Sequence, residues 1–288
     1  MRTGYTGHIT TSEWRWVTSF SILLVLGAFL PFLWMLVIGL TDSDWQFMGA
    51  LHDYGNSATH LARIYQGTED RWLLSYLHTP EAQDGTLIGF VYVLLGQLSR
   101  LVSLPAVVVF HIARIGASLF MYIALYQLAA SIWMRVRTRR IFFVLIALGS
   151  GFGWLAAPLF QILDATDLIV PQAYPFLASL TNVHFPLAIA CLALLSSVAV
   201  AVLRPGTHDR PAIENGGALV FTTSLILTFI YPEAVVPILL AFVLAAGIAW
   251  FQHRDNPSTK LLWLIWFAVP ALPMTASYLG VIASNDLA

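Results

Sequence analysis

The sequence is poor in charged residues and in cysteine. Only 10% of its 288 residues are Asp, Glu, Lys or Arg, whereas soluble domains usually carry about 25%. The 14 basic and 15 acidic residues leave a net charge of -1, so the basic excess that nucleic-acid binding requires is missing. The single cysteine, Cys191, excludes a disulfide scaffold and a cysteine-based zinc or redox site. With 58% hydrophobic residues and a mean hydropathy of +0.77, the composition indicates a polytopic membrane protein.

Apolar runs of roughly 20 residues predict membrane-spanning helices. Tyr231-Pro232-Glu233 divides one run that is too long for a single span, because proline breaks a helix. The predicted spans are 18–40, 106–133, 141–162, 185–203, 218–231, 234–251 and 261–282. A further apolar stretch, 85–104, contains Gln97, Ser99 and Arg100. It is predicted to be a helix in or near the outer membrane interface.

The distribution of charge orients these spans, because cytoplasmic loops collect Lys and Arg. With the N-terminus inside and 85–104 not spanning, ten of the 14 bases lie on the inner side, including the cluster at 135–140. Eleven of the 15 acids then lie on the outer side. If 85–104 crossed the membrane, the arginine cluster would face outward. The sequence therefore predicts an all-α bundle of about seven spans in the plasma (inner) membrane, with the N-terminus inside and the C-terminus outside.

The outer loop 41–104 carries seven of the eleven outer acids, and loops of such length are usually functional. One apolar helical face recurs at i, i+3, i+4 and i+7 through Ala58, Leu61, Ala62 and Tyr65. His60 and Arg63 lie beside that face. We therefore expect short juxtamembrane helices in this loop.

The order of motifs from 18 to 165 is informative. Asp53 follows the first span, and then come His60-Leu61-Ala62-Arg63-Ile64, Gly67, Trp72 and Thr79-Pro80-Glu81. His111-Ile112-Ala113-Arg114 opens the second span, and the arginine cluster precedes the third. This order resembles the front half of the GT-C membrane glycosyltransferases, especially the branch of the protein O-mannosyltransferases and aminoarabinose transferases. The resemblance implies one GT-C-like module over 1–288, which we expect to be complete or the front part of a longer protein.

The resemblance implies transfer of a sugar from a polyprenyl-phosphate donor to an acceptor at the outer membrane face. A carboxylate would accept the proton of the acceptor hydroxyl, and positive charge would stabilise the departing phosphate. Asp53 is the predicted base, with Asp44 and Asp42 as rivals closer to the first span. Tyr54 stands where the family usually has a second acid, which keeps a non-catalytic scaffold open as an alternative. A membrane transporter is the other alternative.

The remaining candidates are predicted to bind substrate at the outer side. They are His60, Arg63, His111, Arg114, Glu81 and His184. The alternative for Arg114 is a side chain that extends to the interface, and for His111 a packing role. Asp164 and Asp167 form a candidate second acidic site, and Glu233 lies on the same side. The cofactor is left open and no metal site is predicted. The expected partners are the lipid-linked donor and membrane lipids, not nucleic acid.

Overall fold

The computed structural model describes residues 9–41, 47–51, 54–76, 85–87, 89–150, 153, 159–161, 166–203, 212–252 and 257–285. Within these ranges the fold is all-helical and has no β-strand; Leu74 and Thr86 form an isolated antiparallel bridge. The helices are α1 (Thr11–Thr41), α2 (Tyr54–Thr68), α3 (Phe90–Val102), α4 (Ala106–Ile132), α5 (Val136–Leu148), α6 (Thr166–Ile169), α7 (Pro175–Thr181), α8 (His184–Leu203), α9 (Ala212–Ile230), α10 (Val235–Gln252) and α11 (Pro257–Asn285).

The described helices account for the apolar runs of the sequence. Three of them, Thr11–Thr41, Ala106–Ile132 and His184–Ala201, are long and apolar enough to cross a membrane. Shorter apolar helical segments lie in α3, α9, α10 and α11. The chain is thus an all-helical membrane protein in the part that the structure describes. The predicted span 141–162 overlaps α5 only as far as Leu148, and the ambiguous stretch 85–104 contains the 13-residue α3.

Helices α1 and α4 pack against each other in opposite directions. Near the start of α1, Glu13 contacts Tyr126 near the end of α4. Near the end of α1, the ring of Phe32 lies 5.2 Å from that of His111, close to the start of α4. The segment between these helices therefore begins and ends at the same end of the bundle. This geometry agrees with the expectation that 85–104 does not cross the membrane on its own.

A buried ion pair connects the start of α1 to α5. Arg139 Nη1 lies 3.0 Å from Glu13 Oε1, and both side chains are only 3% exposed. Tyr126 donates to the same carboxylate oxygen over 2.9 Å. The other oxygen accepts from the Thr10 backbone N–H over 3.0 Å, while Thr10 Oγ1 accepts from the Glu13 N–H over 3.2 Å. This reciprocal arrangement is a capping box, so Glu13 stabilises the helix end and the bundle at once.

Helices α2 and α3 form a closely packed pair beside α4. A Cβ atom at Gly67 would overlap the carbonyl oxygen of Val93, and one at Gly96 would overlap that of Ile64. Small residues allow such close approach of two helix backbones in membrane proteins. The prediction of a helix around His60 is confirmed; within that helix Tyr65 is 54% exposed, while Ile64 is fully buried.

The second half of the bundle consists of α8 to α11 and has its own apolar core. Phe267 is fully buried in α11, where its ring lies 5.4 Å from that of Phe242 in α10. Ser224 of α9 donates a hydrogen bond to the Phe267 carbonyl over 2.8 Å. The turn Pro232–Ala234 separates α9 from α10, as the Tyr231-Pro232-Glu233 sequence predicted. The end of α9 lies next to the start of α8, where the rings of Tyr231 and Phe185 are 6.0 Å apart.

Candidate functional site

A cavity of about 660 Å³ lies where the starts of α3 and α8 meet the end of α9 and one face of α2. Its polar lining residues include Asn56, His60, Arg63, Asn182, His184 and Glu233. Its apolar lining residues include Leu73, Val91, Phe185, Phe229, Ile230 and Met274. A cavity with both kinds of lining suits a ligand that has a polar head and an apolar tail.

Arg63 supplies positive charge to this cavity. Its guanidinium rests against Gly89, where a Cβ atom would lie only 2.7 Å from Arg63 Nη1. Gly89 has φ of 79°, a left-handed conformation that glycine adopts without steric cost. The turn into α3 therefore makes room for the guanidinium. Within the described residues Arg63 forms no ion pair, and the Glu233 carboxylate lines the same cavity.

His60, Tyr92 and His184 form an aromatic cluster in the cavity lining. The His60 and Tyr92 rings stack with centroids 4.2 Å apart and planes 11° apart. The Tyr92 hydroxyl lies 2.5 Å from His184 Nδ1, and the His184 ring meets His60 edge-on at 5.0 Å. Burial lowers the pKa of His60 to about 3, and the positive charge of Arg63 acts in the same direction. His60 is therefore neutral at physiological pH and Arg63 carries the charge.

The opposite termini of α8 and α9 contribute the other polar groups. Asn182 precedes α8, and its Oδ1 accepts a hydrogen bond from the Phe185 N–H over 3.2 Å, as an N-terminal cap does. This bond directs the oxygen to the helix and leaves the amide nitrogen for other contacts. After α9, burial and the nearby Glu233 carboxylate both raise the pKa of Tyr231. Tyr231 thus stays a neutral hydrogen-bonding group beside an acid.

Two sets of hydrogen bonds hold the loop after α2 against the cavity. Gln66 is buried, and its amide group both donates to the Ser75 carbonyl and accepts from the Ser75 N–H, each over 2.9 Å. Leu74 and Thr86 exchange two backbone hydrogen bonds of 2.9 Å. These bonds fix the positions of Leu73 and Thr86, which both line the cavity. The described part of the segment 41–104 thus contributes to the wall of the cavity.

His111 and Arg114 lie outside this cavity lining. Arg114 is 1% exposed, so it does not extend to the interface. Its guanidinium carbon lies 3.7 Å from the ring centroid of Phe32, and its Nη1 donates to the Leu180 carbonyl. The His111 ring also packs on Phe32. A desolvated cation–π contact of this kind is worth about 2 kcal/mol, and it joins α1, α4 and α7.

The structure thus brings together three of the residues predicted from sequence: His60, Arg63 and His184. Glu233 joins them from the turn after α9. Four of the acids predicted from sequence lie outside the described residues, as does the rival base Asp42; they are Asp53, Asp44, Glu81 and Asp164. Asp167 lies in α6, of which the backbone alone is described at that position. Their placement in a site remains a prediction.

Sequence reasoning missed Tyr92 and Asn182. Tyr92 looked like one more aromatic residue in an apolar stretch, although a buried tyrosine hydroxyl usually needs a hydrogen-bond partner. Asn182 stands two residues before His184, the first residue of α8, and caps the helix through the Phe185 N–H, a role that Asn favours. Neither residue type alone indicates a ligand site. Within the described residues, no group of three or more His, Cys, Asp or Glu side chains could hold a metal ion.

The chain matches no protein-family model, and no curated protein or solved structure is significantly similar to it.

Proposed function

We propose that this protein is a membrane glycosyltransferase of the GT-C type, which transfers a sugar from a polyprenyl-phosphate donor to an acceptor at the outer membrane face. The observation that carries the proposal is the cavity, whose lining combines the Arg63 cation with neutral hydrogen-bonding groups and an apolar wall. The Arg63 guanidinium and the N–H groups of His184 and Asn182 suit the donor phosphate. The apolar residues suit the first part of the polyprenyl chain.

The proposed reaction breaks the bond between the anomeric carbon and the phosphate oxygen. An acceptor hydroxyl attacks that carbon and passes its proton to the Asp53 carboxylate, while the polyprenyl phosphate leaves with the bonding electron pair. Negative charge grows on the leaving phosphate during this step. Arg63 would stabilise it electrostatically, and His184 and Asn182 would add hydrogen bonds.

We further propose that seven segments cross the plasma membrane, with the N-terminus inside: α1, α4, α8, α9, α10, α11 and the predicted span 141–162, whose first part lies in α5. In this arrangement the cavity and α2 lie at the outer face, and the arginine cluster of α5 lies at the inner face, in keeping with the positive-inside rule. The support is the opposite direction of α1 and α4, together with the reversal of the chain between α9 and α10.

Cysteine accessibility tests this topology. Met134 is exposed in the connection between α4 and α5. Glu69 is exposed immediately after α2. In a Cys191→Ala background, Glu69→Cys should react with a membrane-impermeant thiol reagent in intact cells, and Met134→Cys should react only after the membrane is permeabilised. Labelling of Met134→Cys in intact cells would reverse the orientation and place the cavity inside.

Arg63→Gln tests the catalytic proposal, with Arg71→Gln as its matched control. Arg71 lies eight residues further on, is exposed, and approaches Glu69 at 3.7 Å outside the cavity lining. With a labelled polyprenyl-phosphate sugar in membranes, Arg63→Gln should lower the transfer rate by roughly 10²–10³-fold, because one electrostatic contact to the leaving group is lost. Arg71→Gln should keep most of the rate. Equal rates for both variants would contradict the proposal, and donor binding without transfer by the unmodified protein would favour the scaffold alternative.

A further inference from the structure

The hydrogen bond between Tyr92 and His184 has two directions open to it. A neutral imidazole carries its proton on Nδ1 or on Nε2, and the partner of one nitrogen decides which is protonated. Tyr92 is 1% exposed, and its hydroxyl lies 2.5 Å from His184 Nδ1. If Nδ1 carried the proton and donated it, the buried phenol hydrogen would need another acceptor. The backbone N–H groups of Val183 and His184 also bond to this hydroxyl oxygen, but as donors they cannot accept the phenol hydrogen, and a buried donor without an acceptor is costly.

We propose that Tyr92 is a positioning residue, which donates its hydroxyl hydrogen to His184 Nδ1 and so keeps the His184 proton on Nε2. His184 then presents an N–H donor, and not an acceptor, to an oxygen-rich ligand in the cavity. The identity of that ligand as a lipid phosphate rests on the proposed function, whereas the protonation of His184 does not.

The ring of Tyr92 has a second task in this arrangement. The Tyr92 ring stacks on the His60 ring with centroids 4.2 Å apart, and this packing restrains the orientation of His60. The Tyr92 hydroxyl orients His184 through the hydrogen bond. His60 Nδ1 is buried without a hydrogen-bond partner among the described residues, so His60 depends on packing for its orientation. Tyr92 of α3 thus fixes the orientation of two imidazole rings, that of His60 in α2 and that of His184 in α8. Since α3 belongs to the outer loop and α8 to the bundle, Tyr92 also couples the loop to the bundle.

The test separates the hydroxyl of Tyr92 from its ring. Tyr92→Phe keeps the stacking on His60 and removes only the donor to His184. Tyr122→Phe is the matched control, because Tyr122 is also fully buried in the helical bundle but lies in the core around α4 and α5. Histidine side chains of the full-length protein in detergent micelles are labelled with ¹⁵N, and the His184 signals are assigned by their loss in His184→Gln.

At pH 7 and without ligand, the His184 shifts should report protonated Nε2 and unprotonated Nδ1. Tyr92→Phe should move both shifts toward the average of a mixed tautomer population, and Tyr122→Phe should leave them unchanged. His184 protonated on Nδ1 in the unmodified protein would overturn the proposal, as would shifts that Tyr92→Phe does not change. This NMR measurement needs no substrate. Its result on the His184 tautomer therefore stays valid even if the protein proves not to transfer sugar.

A second reading tests the link to the ligand. Inorganic pyrophosphate serves as the probe, since it carries phosphate oxygens without sugar or lipid. Its addition should move the His184 Nε2 signal in the unmodified protein, and its apparent affinity should fall about twofold in Tyr92→Phe, because only the fraction of His184 that carries its proton on Nε2 can donate to the ligand. If pyrophosphate moves no His184 signal, His184 is not a donor to phosphate and the ligand part of the proposal is wrong.

Discussion

Replacing Asp53 with asparagine should lower the rate of sugar transfer by roughly 10²–10⁴-fold, the usual contribution of a general base. The amide has nearly the size of the carboxylate but cannot accept the proton of the acceptor hydroxyl. Asp53 immediately precedes α2, whose residues His60 and Arg63 line the cavity. Donor binding should survive, because it depends on Arg63 and the apolar wall. The measurement is transfer from a labelled polyprenyl-phosphate sugar in membranes that contain equal amounts of each variant.

Asp44→Asn is the control for this prediction. Asp44 lies nine residues earlier in the same predicted outer loop and carries the same carboxylate, so a general effect of lost loop charge would appear in both variants. We expect Asp44→Asn to keep most of the activity. Full activity of Asp53→Asn would remove Asp53 from the mechanism. A loss in Asp44→Asn alone would move the base closer to the first span while the class of enzyme stayed the same.

Replacing Arg139 with methionine should destabilise the bundle by about 3–5 kcal/mol, because it leaves a buried carboxylate without its cation. Glu13 and Arg139 are each 3% exposed and 3.0 Å apart, so water cannot take the place of the lost partner. The double variant Glu13→Gln/Arg139→Met removes both charges and should recover most of the stability. The glutamine oxygen can still accept from the Thr10 N–H and cap α1, while its amide nitrogen donates to the Tyr126 hydroxyl oxygen. The measurement is the midpoint of denaturant unfolding in detergent micelles.

Arg137→Met is the matched control, since Arg137 lies in the same helix and is exposed. It removes the same charge from the same arginine cluster and should change stability by less than about 1 kcal/mol. If Arg139→Met and Arg137→Met unfold at the same midpoint, the ion pair contributes nothing. A double variant as unstable as Arg139→Met would mean that the packing of the arginine stem matters and the charge does not.

The sequence predicted part of the candidate site because its motifs are local. His60 and Arg63 are three residues apart on one predicted helix, and one turn of helix brings such residues onto the same side. His184 was placed at the outer start of a span from hydropathy alone. The sequence motifs could not predict contacts between residues that are far apart in the chain. Tyr92 is 92 residues from His184, and no local periodicity indicates that these two side chains share a hydrogen bond.

The contact between α2 and α3 shows what apolar periodicity leaves open. Ala58 and Tyr65 of the predicted apolar face are exposed, while Gly67 meets α3 and Ile64 is fully buried. In a soluble protein an apolar stripe must be hidden from water. Next to a membrane the lipid is itself apolar, so helix contacts follow small residues and close packing instead. The glycines were a better guide to this contact than the hydrophobic residues.

The sequence by itself determined that this is an all-helical membrane protein, because apolar runs and scarce charge leave the backbone no other way to satisfy its hydrogen bonds in lipid. It also located the break between α9 and α10, since proline acts on its own backbone. Only the tertiary structure decided which charges are paired and which face the cavity. Glu13 and Arg139 are 126 residues apart, and Arg114 and Arg63 look alike in sequence. Packing alone buries one arginine against Phe32 and places the other in the cavity lining.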